Sequence, residues 1–179
     1  MLYAFGFDRL AVLAGDLYFQ HPNPPLGQEG PERGVRLELR RIKAEELRGS
    51  VYSARPISVE QAIWRVDLLE TVDREPGSFD RTHYHPTFQG WDESARRFDE
   101  ELSADPLAWL EKKLLDLPGV LSEAGVPADT AGPDDLTGIR LATPEILDAT
   151  RRLLARVRAG ELNRPPEVPV PGLVRSSWL

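Results

Sequence analysis

Alternation of apolar and charged residues dominates the first ninety residues of the chain. In the segment 35–42 the apolar residues Val35, Leu37 and Leu39 alternate with charged ones, which predicts a strand buried on one face. The segment 57–72 fits either a strand or a helix capped by Ser58, and we prefer a strand over 62–70. The further predicted strands are 2–7, 10–20, 51–55 and 82–88.

The second half of the chain has the spacing of helices. Asp105 followed by Pro106 is a capping residue and a proline at the first helical position, and leucines follow at helical intervals. Pro118-Gly119 is expected to end or interrupt that helix, and 128–136 is expected to be a loop. Thr143-Pro144-Glu145 is expected to open the clearest helix of the chain.

This order of elements predicts an α+β fold, with an N-terminal antiparallel β-barrel or sandwich followed by C-terminal helices. We expect one domain over 1–179, made of a β-rich body (1–90), a helical part (100–162) and a proline-rich C-terminal tail (163–179). The proline- and glycine-rich loop 22–31 is expected to lie at the surface.

Composition restricts the function classes. Apolar residues make up 41 % of the 179 residues, which is enough for a core. The net charge of −7 argues against broad binding to nucleic acid or to an anionic membrane. The absence of cysteine excludes disulfides, thiolate chemistry and cysteine-based zinc sites. The N-terminus does not resemble a secretory signal, so the cytoplasm is the expected compartment.

The chain has three histidines, and two of them are spaced as metal ligands. His83 and His85 are two residues apart, so on a strand their imidazoles would lie on the same face. Imidazole suits zinc, copper, iron and nickel. His21, at the end of a predicted strand, is the candidate third ligand. The alternative is that these histidines are structural residues hydrogen-bonded to carbonyl groups.

The segment 77–85 resembles the start of the first cupin motif, in which a glycine is followed after five residues by His-x-His. The resemblance implies a small β-barrel of the jelly-roll kind and a metal held by His83 and His85. Cupins usually add a glutamate a few residues later and a further histidine. Here Phe88 and Gln89 stand near the glutamate position, and no histidine follows His85.

Further candidate ligand-binding residues lie on the polar faces of two predicted strands. Glu38 belongs to the strand at 35–42, and Arg65 and Asp67 belong to the strand at 62–70. If these faces point inward, they form a polar interior with a general base available. If they point to solvent, they form ion pairs that contribute little. Trp91, between Gly90 and Asp92, is a candidate for stacking on a ligand.

Two hypotheses follow. The first is a metal-dependent small-molecule enzyme or a metal-binding barrel protein, with zinc, iron or manganese at the His-x-His site. The second is a non-enzymatic module that binds a small molecule or a protein without a metal, through the loop 22–31 and the tail. The expected partner is a small molecule, with no nucleic acid and no membrane. The sequence leaves open whether the protein is an enzyme and whether it forms a homo-oligomer.

Overall fold

The computed structural model describes residues 1–46, 49 and 56–162. Within this part, strands are followed by helices, as predicted. The strands are β1 (Leu2–Gly6), β2 (Leu10–Gln20), β3 (Pro31–Ala44), β4 (Ile57–Thr71), β5 (His83–His85), β6 (Phe88–Gln89) and β7 (Asp92–Glu93). The α-helices are α1 (Glu100–Ala104), α2 (Pro106–Leu115), α3 (Leu117–Glu123) and α4 (Pro133–Arg158), with a short 3₁₀ helix at Ala128–Thr130.

The first five strands form one antiparallel sheet in sequence order, β1-β2-β3-β4-β5, and β6 and β7 form a separate hairpin. The sheet stays open, so of the predicted barrel or sandwich the barrel is not formed. Its two edge strands are short, and β5 is only three residues long. The outer side of β5 carries an isolated bridge between Tyr84 and Arg97 instead of a closing strand.

The two faces of the sheet have different surroundings. Trp64, Val66 and Leu68 alternate along β4 with Arg65 and Asp67, and all five are buried. The apolar face packs under the helices, because α4 lies against β2 and β3 and α2 packs against α4. The charged face lies on the other side of the sheet. This division positions the candidate site.

The helix expected to begin at Thr143 begins ten residues earlier, at Pro133. The carboxylate of Asp135 accepts the backbone N–H of Gly132 and so stabilises this earlier start. Pro144 lies inside α4. The predicted loop at 128–136 is therefore partly helical.

The prediction of a helix opened by Asp105 and Pro106 is confirmed, since the Asp105 side chain accepts the N–H of Ala108. That helix ends at Leu115, close to the predicted break, but the Pro118-Gly119 pair itself lies in the first turn of α3, which Asp116 caps. The strand preferred over 62–70 is confirmed and is longer than expected.

The strand expected at 51–55 and the tail 163–179 fall outside the described residues. None of the helices in the described ranges has the length and apolar character needed to cross a membrane.

Candidate metal centre

The pairing of β4 with β5 places one carboxylate opposite the two histidines. In this antiparallel register Asp67 faces His83 and Arg65 faces His85, while Val66 and Tyr84 point to the apolar side. Side chains at i and i+2 share a face, so Asp67, His83 and His85 all lie on the charged side of the sheet. All three are buried.

The three side chains bring their ligand atoms together. The Oδ2 atom of Asp67 lies 3.5 Å from Nε2 of His83 and 3.7 Å from Nε2 of His85. The ligand atoms all lie within 4.8 Å of one another. Two ligands at about 2.0–2.1 Å from a tetrahedral zinc ion are about 3.4 Å apart, so the group has the dimensions of a metal site. Asp67, His83 and His85 can therefore hold a metal ion.

The Nδ1 atoms of both histidines are hydrogen-bonded to backbone carbonyl groups. Nδ1 of His83 lies 2.7 Å from the carbonyl oxygen of Arg81, and Nδ1 of His85 lies 2.6 Å from that of Ser94. A carbonyl oxygen can only accept, so each Nδ1 donates its proton. In the neutral ring Nε2 then carries a lone pair directed at the carboxylate. Metal-binding histidines are held in the same way.

Burial keeps both imidazoles neutral near pH 7. Desolvation lowers the pKa of His83 to about 4, although the Asp67 carboxylate acts in the opposite direction. The pKa of His85 is lowered for the same reason, again against the effect of Asp67. Neutral imidazole is the form that binds metals, so both rings are in the competent state at neutral pH.

Arg36 on β3 fixes the carboxylate. Its Nε donates to Oδ1 of Asp67 at 2.7 Å, and its Nη2 donates to Oδ2 at 2.9 Å. Burial alone would raise the pKa of Asp67, but the Arg36 guanidinium and the other groups around the carboxylate, Arg65 among them, together outweigh it, and the pKa is lowered. The carboxylate is therefore ionised and oriented. Sequence reasoning missed Arg36, although its place among the alternating charged residues of β3 was a signal for it.

A second charged group lies beside the first. Glu38 accepts from Arg40 Nε at 2.7 Å and from Arg65 Nε at 2.8 Å, and all three side chains are buried. Of the two alternatives left by the sequence, the polar interior is the one observed. Since both carboxylate oxygens of Glu38 bind guanidinium groups, this residue is poorly placed to act as a general base.

The segment 86–99 covers the charged face. Its β6–β7 hairpin places the Phe88 ring 5.0 Å from the Arg65 guanidinium carbon and the Trp91 ring 5.6 Å from that of Arg40. Phe98 contacts the His83 ring, with centroids 5.7 Å apart. Trp91 is 63 % exposed, which fits its predicted place in a surface turn.

His21 lies outside the group of Asp67, His83 and His85. Asp67 pairs across the sheet with Arg36, which pairs with Gly15, and His21 is six residues beyond Gly15. At a rise of roughly 3.3 Å per residue this puts His21 about 20 Å further along the sheet. Its Nδ1 instead accepts the N–H of Asn23. The structure therefore does not bring His21 to His83 and His85, and the side chain that lies beside them is Asp67.

Comparison with family models, with curated proteins and with solved structures finds no match for this chain. The cupin resemblance of 77–85 therefore stays a prediction. Functional conclusions rest on the geometry of the site.

Proposed function

We propose that this protein is a metal-dependent enzyme for a small molecule, with one ion bound by Asp67 Oδ2 and by Nε2 of His83 and His85. One observation carries the proposal. Oδ2 of Asp67 and the Nε2 atoms of the two histidines converge in a buried place. Neither Nε2 atom carries a proton that it could donate to the other two atoms. Such an arrangement is unfavourable unless a cation or a water molecule lies between the atoms.

The ligand set indicates which ions fit. Two imidazoles and one carboxylate are typical of catalytic zinc and of non-haem iron(II), both of which keep open positions for water or substrate. Manganese prefers a site with more oxygen ligands. The separations of 3.5 and 3.7 Å favour the tetrahedral arrangement of zinc over the narrower spacing of an octahedral site.

The chemistry would take place at the open positions. A zinc ion lowers the pKa of a bound water molecule and polarises a bound carbonyl group. The protein side of the site would fix the ligands through Arg36 and through the carbonyl groups of Arg81 and Ser94. Because His83 and Asp67 are almost fully buried, a substrate reaches them only when the covering segment 86–99 moves.

A binding module without a metal is the second candidate, and the Arg36–Asp67 ion pair favours it. This pair already balances the charge of the carboxylate through two hydrogen bonds. In that case the histidines would be structural and a water molecule would lie between their Nε2 atoms.

Metal content tests the proposal. Protein produced without a histidine tag is analysed by plasma mass spectrometry, and zinc and iron(II) affinities are measured after chelation. We expect about one ion per chain and a loss of at least tenfold in affinity for His83→Ala, His85→Ala and Asp67→Asn. The matched control is His21→Ala, which should bind as tightly as the parent.

Two results would contradict the proposal. One is parent protein that retains no ion and binds none after chelation. The other is equal weakening by His21→Ala and His83→Ala. Circular dichroism of each variant separates lost ligands from lost folding.

A further inference from the structure

Three arginines meet two carboxylates beside the candidate metal centre. Arg40 and Arg65 are buried there and Arg36 keeps 12 % of its side chain exposed, whereas the carboxylates that pair with these arginines are Asp67 and Glu38. Glu38 is shared between two arginines. With neutral histidines these five side chains carry one excess positive charge, and a divalent ion would raise the excess to three. The buried Glu32 on the same face does not offset this charge, because it pairs with Arg96. An anion beside this group lowers the excess.

Of these three arginines, Arg65 makes the fewest hydrogen bonds. Its Nε donates to Glu38, while its Nη1 lies 3.7 Å from Oε2 of Glu93, which is too long for a hydrogen bond. A guanidinium group has five N–H donors and binds a carboxylate through two of them. The Phe88 ring lies against the Arg65 guanidinium and restricts its orientation.

Glu93 supplies the nearest negative charge from the surface. It lies on β7 of the covering hairpin, and its side chain is 48 % exposed. The Glu93 carboxylate is thus held loosely beside a buried arginine by a short surface hairpin. Arg65 pairs in register with His85, so this position adjoins the candidate metal centre.

We propose that Arg65 binds the carboxylate of a small anionic substrate beside the metal, and that this carboxylate replaces that of Glu93 when the hairpin moves. This inference rests on the proposed function, because the substrate would meet the ion from this side. Exchange of one carboxylate for another leaves the charge of the site unchanged. The substrate class is therefore a small carboxylic acid, with its reacting group directed at the ion.

The test uses the full chain loaded with cobalt(II), whose visible spectrum reports on ligands near the metal. Acetate is the anionic probe and acetamide is the neutral probe of the same shape. We expect acetate to change the spectrum in a saturable way and acetamide to leave it unchanged. Glu93→Gln should tighten acetate binding about two- to fivefold, because a competing exposed carboxylate is removed. Arg65→Gln should weaken it by about tenfold or more.

The control variant is Glu111→Gln, an exposed substitution on α2, on the opposite side of the sheet, which should leave acetate binding unchanged. Failure to load cobalt overturns the proposed function itself. If cobalt loads but acetate and acetamide behave alike, the carboxylate inference alone is wrong. The same holds if Glu93→Gln binds acetate no more tightly than Glu111→Gln. The acetate affinity of Glu93→Gln tests the carboxylate inference even if Arg65→Gln does not fold.

Discussion

The guanidinium group of Arg36 holds both oxygens of Asp67, yet one of them, Oδ2, also faces the two histidines. A carboxylate oxygen has two lone pairs, so Oδ2 can accept from Arg36 and still bind an ion. Arg36 therefore positions the carboxylate without excluding a metal. The same contact stabilises the fold, because Asp67 is buried and ionised.

Replacement of Arg36 by methionine should destabilise the protein strongly. Arg36→Met leaves a buried carboxylate without its cation, which costs about 3–5 kcal/mol. Zinc affinity should also fall, since Asp67 is no longer oriented. Urea denaturation of the metal-free protein measures the first effect and zinc titration the second.

Arg152→Met is the control for this prediction. Arg152 pairs with Asp148 one turn away on the exposed side of α4, and such pairs contribute less than about 1 kcal/mol. Equal losses of unfolding free energy in Arg36→Met and Arg152→Met would show that the Arg36–Asp67 pair stabilises the fold no more than an exposed ion pair does.

Stability of the metal-free protein should fall as the pH falls from about 6.5 to about 4. His83 has a pKa of about 4 in the folded protein because it is buried, whereas an unfolded histidine titrates near 6.5. Between these values the unfolded chain binds a proton that the folded chain does not, which favours unfolding. The free energy of unfolding should fall by on the order of 3 kcal/mol. His85 should add to this loss, because burial lowers its pKa as well. Below about pH 3.8 protonation of unfolded Asp67 adds to it, because the pKa of the folded Asp67 carboxyl is lowered.

Denaturant unfolding at pH 7, 6, 5 and 4.5 measures this slope. His83→Gln should make the free energy of unfolding depend less on pH. His21→Gln should leave that dependence unchanged, because His21 lies away from the buried group. Stability that does not change between pH 7 and pH 5 in the parent protein would contradict a buried neutral His83.

Much of the β-rich half could be predicted because alternation is a local signal. The apolar face of β3 could be predicted from the alternation of Val35, Leu37 and Leu39 with charged residues. The two histidines of β5 could be placed on one face because they are two residues apart. The loop-like character of 128–136 was misjudged for a non-local reason. Asp135 begins α4 by binding backbone groups of residues 8–10, which lie more than a hundred residues away.

The place of Asp67 beside the two histidines could not be predicted, because it depends on strand register. Nothing local says that β5 pairs with β4 so that Asp67 faces His83, and a shift of one residue would have brought a different face to the histidines. The burial of Glu38 and Arg65 was likewise undecidable from alternation alone. It depends on the segment 86–99, which folds over the charged face and whose few contacts have no periodic pattern.

Asp135 joins the start of α4 to the first turn of the sheet. Its carboxylate accepts the backbone N–H groups of Asp8, Arg9 and Leu10 at 3.0–3.2 Å, and that of Gly132 at 2.6 Å. The side chain is completely buried. Four backbone donors thus depend on one side chain for their hydrogen bonds.

Asp135→Asn should therefore lower the free energy of unfolding by roughly 3 kcal/mol, because an uncharged amide replaces a charged acceptor and presents its own N–H group to backbone donors. For a chain of this size the melting temperature should fall by about 6–12 °C. Asp134→Asn is the matched control, since Asp134 is the exposed neighbour in the same helical turn and its loss should cost about 1 kcal/mol or less. Thermal unfolding followed by circular dichroism measures both variants. Equal melting temperatures for the two would show that residues 8–10 do not need this carboxylate, and that the attachment of α4 to the sheet depends on apolar packing alone.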